Sequence, residues 1–181
     1  HMDIKLYLVG GTIRDEVLGV KSKDIDYAVE ADSFDAMREY LLSNNYTIFV
    51  EKIEFLTIRA KLKTGKDVYD FTLCRTDGDY SDGRRPDVVH RATILEDLNR
   101  RDLTINAMAK GTDGVLLDPH NGMKDIEDKI IRAVGNPSDR LKEDSLRIIR
   151  ALRFAVTKKF KIEKELFKAI CNPEIYKLLE D

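Results

Sequence analysis

The chain has 181 residues, 43% of them hydrophobic and 35% charged, which supplies one apolar core inside a heavily charged shell. With 31 Lys and Arg against 33 Asp and Glu the formal net charge is −2, which excludes a uniformly basic nucleic-acid coat but not a local basic patch. No apolar run approaches the roughly 20 residues that span a bilayer, no secretory signal opens the chain, and Cys74 and Cys171 form no ligand cluster; a reduced, cytoplasmic compartment without a membrane partner is expected.

Strand and helix signals alternate in the first half. KLYLV (5–9) predicts a short strand ending at Gly10-Gly11, 12–18 a helix ending at Gly19, and 26–31 a second strand. Ser33 is a plausible N-cap for an amphipathic helix to about Leu42, with Phe34, Met37, Leu41 and Leu42 on its apolar face. Strands follow at 47–50, 55–63 and 66–74, and Thr64-Gly65 suggests a hairpin, so a mixed sheet is expected. Residues 75–91 then hold two glycines, one proline, four aspartates and four arginines with almost nothing to bury, the composition of a functional or disordered loop. Helical signals at 94–109, 143–158 and 162–170 surround a turn at 118–122. The expected organisation is an α/β domain over 1–137 and a helical segment over 138–181.

Several runs carry chemistry. Gly10-Gly11-Thr12-Ile13-Arg14 sits where a strand hands over to a helix; glycines let the backbone approach a ligand, first-turn N–H groups point outward, and Arg14 can pair with phosphate. Ordinary strand–helix packing uses such turns too. Asp24-Ile25-Asp26 places two carboxylates on one strand face, able to hold Mg²⁺ while leaving positions for water and phosphate; a solvated strand edge is the plainer alternative. Asp70 joins them if its strand pairs beside the second, either accepting the proton of an attacking hydroxyl or ligating a second metal; otherwise it is a surface aspartate. Of the adjacent Arg100 and Arg101, about 100° apart on a helix, only one can face a given ligand. On the helix from Glu143, Arg147, Arg150 and Arg153 share a stripe, with Ile148, Ile149, Leu152 and Val156 on the opposite arc. Asp144 lies about one turn before Arg147, so an acceptor and a donor fork can together meet a base edge. The alternative makes Asp144 a cap and the arginines a solvated face. Residues 140–161 carry eight Lys or Arg and two acids, a local excess that suits an anionic ligand.

With LVGGTIRD (8–15), DID (24–26), RTDGDYSDGRRP (75–86), RRDLTINA (100–107), DPHNG (118–122) and EDSLRIIRALRFA (143–155) in this order, the chain resembles the class II tRNA nucleotidyltransferase and bacterial poly(A) polymerase family, a branch of the polymerase-β-like nucleotidyltransferases. The resemblance implies a mixed, about five-stranded catalytic head and the start of a helical neck. It implies that Gly10, Gly11 and Arg14 bind the triphosphate, that Asp24 and Asp26 hold Mg²⁺, and that Arg101 contacts the incoming nucleotide. It further implies that Asp144 and Arg147 template the base and that Arg150 and Arg153 complete the nucleotide site. Ser145 stands where many relatives have proline, and full-length relatives continue through a longer neck, a body and a tail that grip the tRNA. Relatives that add only two cytidines tend to lack the loop kept here at 75–86, which favours competence to add adenosine. The implied activity is template-independent addition of C and A to the 3′ end of tRNA from CTP and ATP. A poly(A) polymerase using ATP alone is the alternative within the class. A non-catalytic nucleotide- or RNA-binding module on the same fold is the alternative outside it, and the presence of both Asp24 and Asp26 counts against it.

Overall fold

The computed structural model describes residues 3–21, 24–76, 91–143 and 146–177, with 147, 148 and 176 described in backbone only. The chain divides into two compact units, one of residues 1–100 with 109–117, the other of 101–108 with 118–181. By compactness, then, the division falls earlier than residue 137, and the segment 101–108 groups with residues 118–181.

The first unit runs β1 (Lys5–Val9), α1 (Gly11–Leu18), β2 (Ile25–Glu30), α2 (Phe34–Ser43), β3 (Tyr46–Lys52), a 3-10 turn (Ile53–Phe55), β4 (Thr57–Leu62), β5 (Val68–Leu73), α3 (Ile94–Asn99), β6 (Ala109–Gly111) and β7 (Leu116–Leu117). The strands form one sheet in the order β3-β4-β5-β2-β1-β6-β7. β2 and β5 are parallel and every other pair is antiparallel, so the sheet is mixed, with the expected hairpin between β4 and β5. It has seven strands and not about five: β6 and β7 add to the β1 edge, each too short to show an alternation in sequence.

Alternation along the strands sorts side chains to two faces. Val29, Ile58, Ala60, Phe71 and Leu73 meet Phe34, Met37 and Leu41 of α2 in one core. Ala28, Val9, Cys74 and Ala109 meet Ile94 and Leu98 of α3 in the other. α2 begins as its sequence dictates, with the Ser33 hydroxyl accepting the Ala36 N–H at 3.0 Å. Leu42, expected on the apolar face, is instead 50% exposed, because one further residue turns it about 100° away from Leu41. α3 starts in a capping box between Thr93 and Glu96, reinforced by buried Glu30, whose carboxylate accepts the Ile94 N–H at 2.7 Å.

The helix expected over 94–109 is a correction. It stops at Asn99, after which the Asp102 carboxylate accepts the N–H of Leu103 and the chain passes through a 3-10 turn (Thr104–Asn106) before β6. Leu98, Leu103, Ile105 and Met108 are all buried, so their spacing imitated a helix face while serving separate elements.

The second unit contains that 3-10 turn, α4 (Gly122–Asp128), β8 (Ile130–Ile131), α5 (Pro137–Glu143), α6 (Leu146–Lys158), β9 (Lys161–Ile162), α7 (Lys164–Ile170) and α8 (Pro173–Tyr176). β8 and β9 pair in parallel. Glu143, expected to open the long helix, belongs to α5, and residue 162, expected in the last helix, lies in β9. The turn DPHNG caps α4: the Asp118 carboxylate accepts the N–H groups of Gly122 and Met123 at 2.7 and 3.0 Å. Asp125, buried, accepts the Thr104 hydroxyl at 2.6 Å and the Arg132 Nε at 3.1 Å. A Cβ on Gly122 would lie 2.3 Å from the Thr104 carbonyl oxygen, so only glycine lets α4 approach the 3-10 turn this closely. Gly122→Ala is expected to destabilise the protein by about 1–3 kcal/mol, read as a lower urea midpoint with an unchanged slope.

Candidate active site

β1 ends in a turn that requires glycine: Gly10 has φ 61° and ψ −131°, a conformation that side-chain-bearing residues rarely adopt. α1 follows at once. A Cβ on Gly11 would lie 3.1 Å from Nη2 of Arg14, so the guanidinium lies back over the turn; its Nε donates to Asp15 Oδ1 at 3.0 Å. Thr12 fastens this turn to the next strand, its hydroxyl oxygen accepting the backbone N–H of Asp26 at 2.9 Å.

The parallel register of β2 and β5 makes Asp26 and Asp70 direct partners, and the antiparallel register of β4 and β5 makes Arg59 the partner of Asp70. Asp26, Asp70 and Arg59 therefore stand in a row across three adjacent strands, on the face opposite Tyr27, Tyr69 and Phe71. Asp24, two residues before Asp26, joins them through Arg59: Nη2 donates to Asp24 Oδ1 at 3.0 Å, and Nη1 to the Asp70 oxygens at 3.3 and 3.4 Å. Burial pushes the Asp70 carboxyl above the usual carboxylate range; Arg59 pulls it back and the negative charge of Asp24 adds to the upward push. The expectation that Asp70 joins Asp24 and Asp26 depended on its strand lying beside the second, and it does.

Among the described residues, no three His, Cys, Asp or Glu side chains form a group able to cage a metal ion. The donor chemistry nonetheless fits Mg²⁺, which prefers hard oxygen ligands and is commonly held by one or two carboxylates with waters and substrate phosphates completing the shell. Asp24 and Asp26 supply that minimum.

Arg100 donates through Nε and Nη2 to buried Asp97, which also accepts the Arg75 N–H, so it braces the entry to the loop at 75–86. That loop lies, beyond its first two residues, outside the described residues. In the second unit Arg101 is half-buried, and Arg150 and Arg153 stand exposed on α6. Asp144 and the Arg147 side chain lie outside the described residues, so their expected pairing is not seen. α6 buries Ala151 and Ala155, while Leu146, Ile149, Leu152 and Val156 are exposed. Sequence reading missed two residues of the cluster. Thr12 was hidden inside the glycine motif, and Arg59 carried no local signal, since only strand register brings it to Asp70.

A glycine turn at the end of β1 lies beside Asp24, Asp26 and Asp70 on a mixed sheet. Residues 6–132 match the Poly A polymerase head domain, and the chain belongs to that family. It is 42% identical over 172 residues to the CCA-adding enzyme of Ligilactobacillus salivarius (strain UCC118), covering 91% of this chain and 39% of that protein. It is 42% identical over 167 residues to that of Bacillus subtilis (strain 168), covering 92% and 40%. The chain thus spans about two-fifths of the length of these curated relatives. Among solved structures, the Bacillus stearothermophilus CCA-adding enzyme in complex with CTP superposes with a TM-score of 0.77 at 31% identity, over 92% of this chain and 38% of that one. A tRNA nucleotidyltransferase complexed with a primer tRNA and an incoming ATP analog gives 0.76 at 32%, over 97% and 47%. Among the described residues no helix is long and apolar enough to cross a membrane.

Thr12→Val removes the acceptor for the Asp26 N–H while keeping the side-chain shape. It is expected to cost about 1–3 kcal/mol of stability in denaturant titration, together with a marked loss of nucleotide binding.

Proposed function

We propose that this chain is the nucleotidyl-transferring part of a CCA-adding enzyme, acting in the cytoplasm on the 3′ end of tRNA with CTP and ATP and without a nucleic-acid template. The observation that carries the reading is the Asp26–Asp70 pair with Asp24 beside it, tied through Thr12 to the Gly10-Gly11 turn. Family membership, the names of the relatives and the CTP and ATP-analog complexes of the structural neighbours support it. The 3′-oxygen attacks the α-phosphorus, the bond to the β-phosphate oxygen breaks, and pyrophosphate leaves with its electron pair. The Gly10-Gly11 turn and Arg14 bind the triphosphate. Asp24 and Asp26 would hold Mg²⁺, which when bound would neutralise phosphate charge and lower the pKa of the attacking hydroxyl. Asp70, whose carboxyl is pushed up by burial, accepts the hydroxyl proton. Arg101, Arg150 and Arg153 bind the incoming nucleotide, and the helical segment from 138 serves as the neck.

Asp144 and Arg147 choose the base. Cytosine and adenine each present an amino donor beside a ring-nitrogen acceptor, which one carboxylate and one guanidinium can meet. Uracil and guanine put a carbonyl opposite Asp144, a mismatch of about 1–3 kcal/mol. Asp144→Ala should therefore narrow the advantage of CTP and ATP over UTP and GTP by roughly ten- to a hundredfold in kcat/KM, while Arg150→Ala weakens all four more evenly. Unaltered selectivity in an Asp144→Ala protein that has merely lost stability would contradict the templating role.

The family name favours a second reading, a poly(A) polymerase using ATP alone. Labelled nucleotides supplied to tRNA lacking its 3′ end separate the two. CTP alone should add two residues and CTP with ATP three, whereas a poly(A) polymerase would ignore CTP and extend a long adenosine tail.

A further inference from the structure

Arg59 stands where an arginine has a consequence for the metal site. Its strand register sets it directly across from Asp70, and its two terminal nitrogens go to different carboxylates: Nη2 to Asp24 at 3.0 Å, Nη1 to Asp70 at 3.3 and 3.4 Å. The guanidinium fork is thus shared between the two and bidentate to neither. Carboxylates gathered on one sheet face repel one another, and Arg59 is the cation that joins two of them. The side chains are 40% exposed at Arg59, 47% at Asp24 and 23% at Asp70, so water screens both pairs and neither is strong.

We propose that Arg59 is a built-in counter-cation for these carboxylates, a positioning residue that competes with a divalent ion for Asp24 while its other arm holds Asp70. The proposal rests on the reading of Asp24 and Asp26 as metal ligands. The oxygen of Asp24 nearest to Arg59 already accepts a hydrogen bond, and an ion taking that oxygen together with Asp26 must detach this arm of the fork. The weakness of each exposed pair makes the exchange reversible. Metal affinity without nucleotide is therefore held down by Arg59, and the carboxylates keep their arrangement in the meantime. Positive charge on Arg59 also opposes a second cation nearby.

The test uses Mn²⁺ alone, with the nucleotide-free protein at low salt, reading free ion by electron paramagnetic resonance. Wild type, Arg59→Gln and Arg59→Lys are compared, each with and without Asp24→Asn, and melting curves establish that each is folded. Arg59→Gln is expected to tighten Mn²⁺ binding by about three- to tenfold, and Arg59→Lys by less, since an ammonium keeps the charge but loses the fork. Asp24→Asn should abolish the tightened binding in every background. Binding that depends on Asp24 but is unchanged or weaker in Arg59→Gln would overturn the competition while leaving the metal reading intact. Binding that ignores Asp24→Asn throughout, or no binding in any variant, would overturn the metal reading itself.

Discussion

Where β2 runs parallel to β5, Asp26 and Asp70 are register partners, and the same alternation sends Tyr27, Tyr69 and Phe71 to the opposite face. The rings of Tyr27 and Phe71 stack with centroids 5.4 Å apart, and Tyr46 meets Phe71 edge-on at 5.1 Å. These aromatic contacts hold the strands in one register beneath the carboxylates. A slip of one residue would turn the rings out and the carboxylates into the core, so packing on one face fixes where the carboxylates stand on the other. Thr12 extends the constraint to the glycine turn, because its bond to the Asp26 backbone fixes where that turn lies relative to the strand.

The second unit answers to its own constraint. Buried Asp125 gathers Thr104 and Arg132, and Gly122 lets α4 come up against the Thr104 backbone. Two motifs that look functional in sequence, RRDLTINA and DPHNG, therefore owe much of their composition to packing: Thr104, Asp118 and Gly122 build the fold. A run of unusual residues can be structural at most of its positions.

Much of this was legible in the sequence. Alternation reveals the five longer strands, Ser33 announces α2, and Asp24-x-Asp26 after a Gly-Gly turn singles out two of the carboxylates that strand register and Arg59 bring together. What stayed hidden was non-local. Arg59 looked like any outward-facing strand residue until β4 paired with β5. The apolar spacing through 94–109 could not tell one long helix from a short helix, a 3-10 turn and a strand, since each buries its own residues against a different neighbour. β6 and β7 are held by the edge of β1, and no propensity within three or two residues foretells that.

On the proposed function the Asp26 and Asp70 carboxylates are the seat of the chemistry, while the aromatic face beneath them holds the register. The most direct measurement is nucleotidyl transfer by Asp26→Ala beside its melting temperature. Transfer should fall by at least about a thousandfold with the melting temperature close to that of the wild type, because the half-buried carboxylate takes no part in either core. Transfer within a few-fold of wild type would contradict the assignment.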